Sequence, residues 1–389
     1  MTRTQTTAQP NTPPPVPTAA STGGNERVLV LATKASVMTA FSAHIVRWQT
    51  SCGRHTLPWQ NTRDPYRVWL SEIMLQQTQV STVLAYYARF LSRFPSVGDL
   101  AAAPQDEVLR LWAGLGYYSR ARNLHRCAQD VVALHGGAFP ATAALLQTLP
   151  GIGRSTAAAV ASFCFAEPVA ILDGNVKRVL TRVLAFSSDL AQATHERALW
   201  DLATALLPQH DLHHTMPRYT QGLMDLGATV CTRRKPQCLL CPVQPLCLGL
   251  SSGTPERFPV KSRKLKRSAQ GLSLLWAQRS DGAVWLEKRP ASGVWGALYC
   301  LPVFESDQQL LDALPALLRT TALPLPHILH VLTHKDLHLA PWVLTLAAGQ
   351  TLPFAAAPAE RQAGWFSAAA HLQLGLPAPI RKLLDSALP

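Results

Sequence analysis

Leu149–Arg178 reads LPGIGRSTAAAVASFCFAEPVAILDGNVKR, and the fold is decided in this stretch. Leu149, Pro150, Gly151, Ile152 and Gly153 make a tight turn, poor in side chains, that runs into the helical pattern Arg154–Phe165. Ala157, Ala158 and Ala159 let that helix pack closely. Such a turn leaves backbone N–H groups facing outward with a helix dipole behind them, which suits an anion such as a DNA phosphate. Farther on, Asp173 opens a second helix through Asp-Gly-Asn, and Lys177 and Arg178 follow one turn later. A carboxylate thus lies beside cations and a phosphate grip. Each part also has an ordinary explanation: a Pro-Gly-x-Gly turn can simply connect two helices, and Asp173 can simply N-cap one.

The rest of the chain weighs toward nucleic acid. Of 36 basic and 23 acidic residues, residues 269–389 hold 8 of each, so the net charge of +13 lies entirely in the first 268 residues. That asymmetry favours a polyanionic partner for the N-terminal part, against the alternative of a merely solvated basic surface. Hydrophobic content is 48%, and polar residues interrupt every apolar run well short of membrane-spanning length. No secretory signal pattern is visible at the N-terminus, so the eight cysteines read as thiols or ligands in a reducing compartment.

Residues 1–35 are rich in Thr, Pro and Ala and are expected to form a disordered tail. Residues 36–250 carry helical patterns joined by short connectors: Val37–Gln49, Tyr66–Gln76, Val80–Phe94, Gln105–Ala113, Arg120–His135, Ala141–Leu146, Val176–Phe186, His195–Leu207 and Tyr219–Leu226. Residues 251–268, with Lys261, Arg263, Lys264, Lys266 and Arg267, read as a basic linker able to touch DNA. Residues 269–389 read as α+β: a hairpin of Leu272–Gln278 and Ala283–Lys288, further strands at Trp295–Phe304, Ile328–Leu332 and Trp342–Ala347, and helices near Gln308–Leu318 and Ile380–Ala387.

Three groups of residues could carry chemistry. Cys231, Cys238, Cys241 and Cys247 are close enough in sequence to hold a metal or cluster; with only one C-x-x-C pair, the spacing leans from zinc toward iron–sulfur. Glu72 lies in WLSEIMLQQTQ, where helical spacing puts Trp69, Glu72, Gln76 and Gln79 on one face; a partly desolvated carboxyl there could stay protonated near neutral pH, whereas an exposed helix glutamate would not. Tyr117 and Tyr118 stand on a loop with Arg120 and Arg122 behind them, a pattern that suits stacked bases flanked by phosphates, although paired tyrosines also serve as packing. Cys52, Cys127, Cys164 and Cys300 read as packing thiols.

Together these motifs resemble the helix-hairpin-helix DNA glycosylases of the endonuclease III superfamily. WLSEIMLQQTQV, GLGYYSRARNL, LPGIGRSTA and ILDGNVKRVL resemble in particular the branch that excises adenine opposite 8-oxoguanine or guanine. The resemblance implies an all-α helix-hairpin-helix domain with a [4Fe–4S] loop held by Cys231, Cys238, Cys241 and Cys247, and a Nudix-like C-terminal domain that recognises 8-oxoguanine. It implies base flipping, Glu72 as general acid, Asp173 as stabiliser of the sugar cation, and Asn175 as its support. It places Gln76 and Gln77 as the wedge opposite the flipped base, Tyr117 beside the oxidised guanine, and Leu149, Gly151, Gly153 and Ser155 at the DNA-gripping hairpin. Relatives that also cleave the strand have a Schiff-base lysine where this chain has Ser155, so monofunctional action with little lyase activity is expected.

In the C-terminal domain, Leu332-Thr333-His334 stands where the family has Phe-Ser-His, keeping hydrogen-bonding groups at Thr333 and His334 to sense the lesion. The segment Ser292–Tyr299 fits the Nudix-like fold, but no glutamate-rich motif follows it, which argues against pyrophosphohydrolase activity. The implied partner is double-stranded DNA with A·8-oxoguanine or A·G mispairs, bound by a monomer that is not membrane-associated. The implied location is bacterial cytoplasm, at the nucleoid. A thymine or uracil mismatch glycosylase, a non-catalytic lesion-binding protein and a chain that also hydrolyses oxidised nucleotides are the competing readings.

Overall fold

The computed structural model describes residues 39–262, 267–352 and 362–386. The tail expected at 1–35 and linker residues Arg263, Lys264 and Lys266 lie outside the described residues. The first part is helical, from 39–52 (α1) through Pro65–Leu75 (α2), Val80–Arg93 (α3), Val97–Ala102 (α4), Gln105–Trp112 (α5), Ser119–His135 (α6) and Ala143–Leu146 (α7). Arg154–Phe165 (α8), Gly174–Val183 (α9), Ala193–Ala205 (α10), Leu212–Thr229 (α11) and Leu248–Ser251 (α12) follow. The expected helix-turn-helix is α7, the 149–153 turn and α8. Gly151 has φ +76°, and a Cβ there would lie 2.7 Å from Asn123 Cβ, so glycine is required twice over.

Helix α11 starts seven residues earlier than Tyr219, although it contains Pro217. Proline has no N–H for the carbonyl of His213; Arg63 Nη2 donates to that carbonyl instead, at 3.2 Å. An interior proline is thus tolerated because a side chain from elsewhere replaces the lost donor.

The C-terminal part is one mixed sheet. Ser268–Arg279 (β1) runs parallel to Lys335–Leu346 (β7), in register from Ser268↔Lys335 to Arg279↔Leu346. Val284–Lys288 (β2) forms the expected hairpin with β1 across Gly282, which has φ +82°. The expected strand Trp295–Phe304 is broken: Trp295 and Ala297 take left-handed φ of 58° and 62°, leaving the short strands Tyr299–Cys300 (β3) and Val303–Phe304 (β4). Leu323–Pro324 (β5) and Ile328–Val331 (β6) pair with β7, and Ala363–Phe366 (β8) with β2.

β1 is buried on both faces, and its period-two alternation divides two cores. Leu275 and Ala277 join Leu310 of the helix Asp307–Asp312 (α13). Leu274 and Trp276 belong to a core that continues through Trp295 and Leu376 into Trp112, Leu109 and Leu124 of the helical part. The two parts therefore share apolar packing, reinforced by Lys288–Asp106 at 2.7 Å and Arg122 Nη1 donating to the Gly296 carbonyl at 2.7 Å. Leu376 is 1% exposed, and its carbonyl accepts from Tyr118 Oη at 3.4 Å. Leu376→Ala should cost roughly 2–4 kcal/mol, seen in urea denaturation as one transition shifted for helical and sheet signals alike.

Candidate active site

The loop 54–63 and helices α2, α8, α9 and α11 enclose a cleft of about 780 Å³, into which Glu72, Asp173, Asn175, Ser155, Gln76 and Gln77 all project. Helix α2 starts at Pro65 and is capped by Asp64, whose carboxylate accepts from Tyr66 N at 2.9 Å. Its core face carries Trp69, wholly buried and packed against Phe139, so Glu72 is not flanked by that aromatic. Helix α2 also ends at Leu75, which makes Gln76 its C-cap and Gln79 the N-cap of α3; the expected four-residue face does not exist. Glu72 instead shares the cleft wall with Val68, Ser71 and Leu75.

Protein surrounds the Glu72 carboxyl although the cleft mouth is open. Burial, with Asp173 as a second contributor, pushes its pKa up to about 8. Asp173 caps α9, its Oδ1 accepting from Val176 N at 2.8 Å. Burial raises Asp173 above the ordinary carboxylate value, but the backbone donors of Val176 and Asn175 and the charges of Arg178 and Lys177 oppose the rise. Among the described residues no such donor opposes the rise at Glu72. Asn175 Oδ1 accepts from Arg178 Nη2 at 2.7 Å, and the same guanidinium donates to the carbonyls of Gly227 (2.7 Å) and Cys231 (2.8 Å). Ser155 Oγ accepts from Leu172 N at 3.2 Å, tying the hairpin helix to the segment that leads into Asp173.

The hairpin divides its duties. Leu149 and Ile152 are buried anchors, so Leu149 offers DNA no side chain. Gly151 and Gly153 are exposed, and Gly153 N-caps α8 with no side chain satisfying the first amides.

On the far side of α2, Gln77 is exposed with φ 58° and Tyr117 has φ 49°. Thr333 and His334 are the exposed tip of the β6–β7 hairpin, and Leu332, in place of an aromatic, packs against the shared core. Tyr117 Oη hydrogen-bonds Thr333 Oγ1 across the two parts of the chain. The arginines expected to flank phosphates are used otherwise: Arg120 is buried and Arg122 bonds Gly296. Arg267 of the linker pairs with Asp336 and donates to the Thr333 carbonyl at 3.2 Å, holding that tip.

Cys231, Cys238, Cys241 and Cys247 line one small cavity with Arg182 and Val243. Arg182 is 2% exposed; its Nη1 lies 3.4 Å from Cys231 Sγ, and its guanidinium donates to the carbonyls of Thr232 (2.7 Å) and Arg233 (3.1 Å), shaping the basic loop. Among the described residues no three His, Cys, Asp or Glu side chains are grouped to hold a single metal ion. Cys127 and Cys300 are buried, but Cys52 is exposed and so is not a packing thiol.

Sequence reasoning missed Arg54, His55, Gln60, Gln221 and His214 in the cleft wall. The available signal was a polar run, 54–63, outside any helix. Arg54 is held by buried Asp225, Nε to Oδ1 at 2.7 Å, with Gln221 bonding the same oxygen at 2.8 Å.

Residues 70–204 match the family described as HhH-GPD superfamily base excision DNA repair protein, and residues 274–386 match the NUDIX domain. Fold and cleft thus define a helix-hairpin-helix base-excision DNA repair protein with a Nudix-like second domain. The adenine DNA glycosylase of Buchnera aphidicola subsp. Baizongia pistaciae is 34% identical over 348 residues, covering 88% of this chain and 95% of that one. That of Homo sapiens is 35% identical over 379 residues, covering 81% and 68%. The structure of a thermostable thymine-DNA glycosylase aligns with a TM-score of 0.50 at 29% identity, covering 56% of this chain and 99% of that one. The chain belongs to the adenine DNA glycosylase family of DNA N-glycosylases.

The raised Glu72 pKa has a consequence for stability. The unfolded chain loses this proton near the ordinary glutamate value of 4.5 and the folded chain at about 8, so folding is penalised progressively as pH rises through that window. Glu72→Gln should remove the penalty, stabilising the protein by roughly 4 kcal/mol at pH 8 and by little at pH 4.5, measured by thermal melting across pH.

Proposed function

We propose that the chain removes adenine from pairs with 8-oxoguanine, or with guanine, by hydrolysing the N-glycosidic bond without cutting the strand. The observation that carries this is Glu72 and Asp173 in one cleft, the first held protonated by burial and the second supplied with backbone donors and cations. The adenine is flipped into the cleft. Glu72 gives its proton to a ring nitrogen; the C1′–N9 bond breaks, its electron pair leaving with the base. Positive charge spreads over C1′ and the ring oxygen, where Asp173, oriented with Asn175, stabilises it. Glu72, now ionised, accepts a proton from the water that attacks C1′, giving free adenine and an abasic sugar.

Gln76 and Gln77 fill the gap left by the base. Tyr117 inserts beside the oxidised guanine, and Thr333 and His334 sense its edge; the Tyr117–Thr333 hydrogen bond supports a single lesion-reading unit built from both domains. Hairpin amides at Gly151 and Gly153 hold a phosphate, while Leu149, whose own N–H donates to the Leu146 carbonyl at 3.2 Å, anchors the turn from inside. Lysine is absent from the cleft lining, and Ser155 occupies the place where a Schiff base would form, which favours monofunctional action. The matched thymine-DNA glycosylase covers only 56% of this chain, whereas the adenine relatives extend through the sheet domain.

Residues 36–250 then form the glycosylase domain, 251–268 the linker and 269–389 the 8-oxoguanine-recognition domain. Cys231, Cys238, Cys241 and Cys247 suit a [4Fe–4S] cluster: the four thiols line one small cavity, as a cluster held by four thiolates requires. When bound it would tie Cys231, just past the end of α11, to the turns at Cys238, Cys241 and Cys247, closing the basic loop 232–235 that Arg182 of α9 already braces. Among the described residues no helix is long and apolar enough to cross a membrane. The proposed setting is a DNA-bound monomer at the bacterial nucleoid.

Single-turnover release of adenine from an A·8-oxoguanine duplex tests the mechanism. Wild type should release adenine, leave the strand intact and form no borohydride-trapped adduct; its rate should fall as pH rises through about 8, where Glu72 loses its proton. Glu72→Gln should lose roughly 10²–10⁴-fold and Asp173→Asn roughly 10²–10³-fold. An active Glu72→Gln would sink the assignment of the acid. Separately, purified protein should contain about four irons per chain, and Cys238→Ser should lower both iron content and DNA affinity; iron-free protein of full affinity would remove the cluster.

A further inference from the structure

Arg120 holds the most heavily bonded guanidinium near the lesion-reading surface, and its geometry is unlike that of a phosphate ligand. It is 8% exposed. Nη1 donates to the carbonyls of Ile73 (2.9 Å), Met74 (2.9 Å) and Gln76 (2.6 Å). Nη2 donates to Thr78 Oγ1 (3.1 Å) and the carbonyls of Leu115 (3.2 Å) and Gly116 (3.3 Å). The guanidinium lies over Trp112 and Tyr117, 5.3 and 5.4 Å from their ring centroids.

These partners belong to two separate structures. Ile73, Met74 and Gln76 offer carbonyls at the C-terminus of α2, the helix that carries Glu72, and a helix end leaves just such groups without internal partners. Leu115 and Gly116 lead into Tyr117. Immediately beyond the clamped atoms stand Gln77 and Tyr117, both non-glycine residues in left-handed backbone, a conformation that persists only where its surroundings enforce it. One planar cation with fixed donors therefore sets two strained loops relative to each other, which a flexible ammonium could not do.

We propose that Arg120 is a positioning residue that couples the wedge at Gln76–Gln77 to the tyrosine at 117, so that filling the gap left by the adenine and probing its partner guanine occur as one event. The proposal rests on the lesion-reading roles assigned above to those side chains. The insertion of Tyr117 on one strand is then registered at the C-terminus of the Glu72 helix through a single side chain. Gly116 and Thr78 belong to this clasp as acceptors, not as DNA contacts.

A double-mutant cycle tests it, using full-length wild type, Arg120→Lys, Tyr117→Ala and the combination, each verified as folded by thermal melting. In single-turnover adenine release from an A·G duplex at saturating enzyme, Arg120→Lys should lose roughly tenfold or more in wild type but less than threefold in Tyr117→Ala, because coupled sites are non-additive. Equal losses in both backgrounds, or no loss in wild type, would overturn the coupling, since a merely structural arginine would act alike in each. If Arg120→Lys does not fold, Thr78→Val removes one acceptor while leaving the arginine, and the same non-additivity, with about a threefold loss, is expected; additivity overturns the proposal. If wild type releases no adenine, the functional reading fails, and the coupling is judged by 2-aminopurine placed beside the guanine. Its fluorescence should respond to wild-type binding and lose that response in Arg120→Lys, or Thr78→Val if the lysine variant does not fold; retention of the full response overturns the proposal.

Discussion

Two carboxyl groups, Glu72 and Asp173, share one cleft whose walls desolvate both, and the helical domain surrounds them differently. Desolvation alone would push both carboxyls the same way. What separates them is placement: Asp173 sits at the start of α9, where amide donors and Lys177 and Arg178 favour the charge, while Glu72 lies midway along α2 with no donor among the described residues aimed at it. The hairpin, by binding Leu172 through Ser155, holds those two placements at fixed separation. The cost is borne by the fold, since an ionisable group is kept where only its neutral form is comfortable.

Much of this was legible in the linear sequence because the informative features are local. A Gly-x-Gly turn before small helical residues, an Asp-Gly-Asn helix start and four close cysteines each need only their neighbours to be recognised. Features that depend on which way a helix faces were not legible. Trp69 and Glu72 are three residues apart, yet one is in the core and the other in the cleft, because a step of about 60° around α2 crosses the boundary between them, and α2 ends before Gln76 and Gln79 can join either face. Arg120 and Arg122 look like phosphate ligands by composition, but one turns inward to capping carbonyls and the other reaches Gly296, 174 residues on. Arg54 and Gln221 became cleft residues only through the long-range ion pair with Asp225.

The same limitation explains the sheet domain. The β1–β2 hairpin and the strand at Ile328 were readable from alternation, whereas the break at Trp295–Ala297, the short strands β5 and β8 and the attachment of the domain were not, since both faces of β1 are apolar where they are buried. Two apolar faces say that both are covered without saying by what. Here one is covered by the glycosylase helices, so the domain is seated on them, and the tip at Thr333 is held on both sides, by Tyr117 and by Arg267.

That seating bears on how a lesion can be recognised at all. If the tip at Thr333 reads the base opposite the adenine, as proposed above, it can govern the reaction only by being fixed relative to the cleft. Rigid coupling achieves this only if the chain from reader to cleft has no soft link. The bonds present form such a chain: Thr333 to Tyr117, Tyr117 over Arg120, Arg120 to the last carbonyls of α2, and α2 to Glu72. Every step is a hydrogen bond, a ring contact or a helix, and the two left-handed backbones at Gln77 and Tyr117 stand next to the carbonyls that Arg120 clamps. Because Arg120 bonds the backbone beside each of the two left-handed residues, a displacement of one is passed to the other through a planar side chain and the end of a helix.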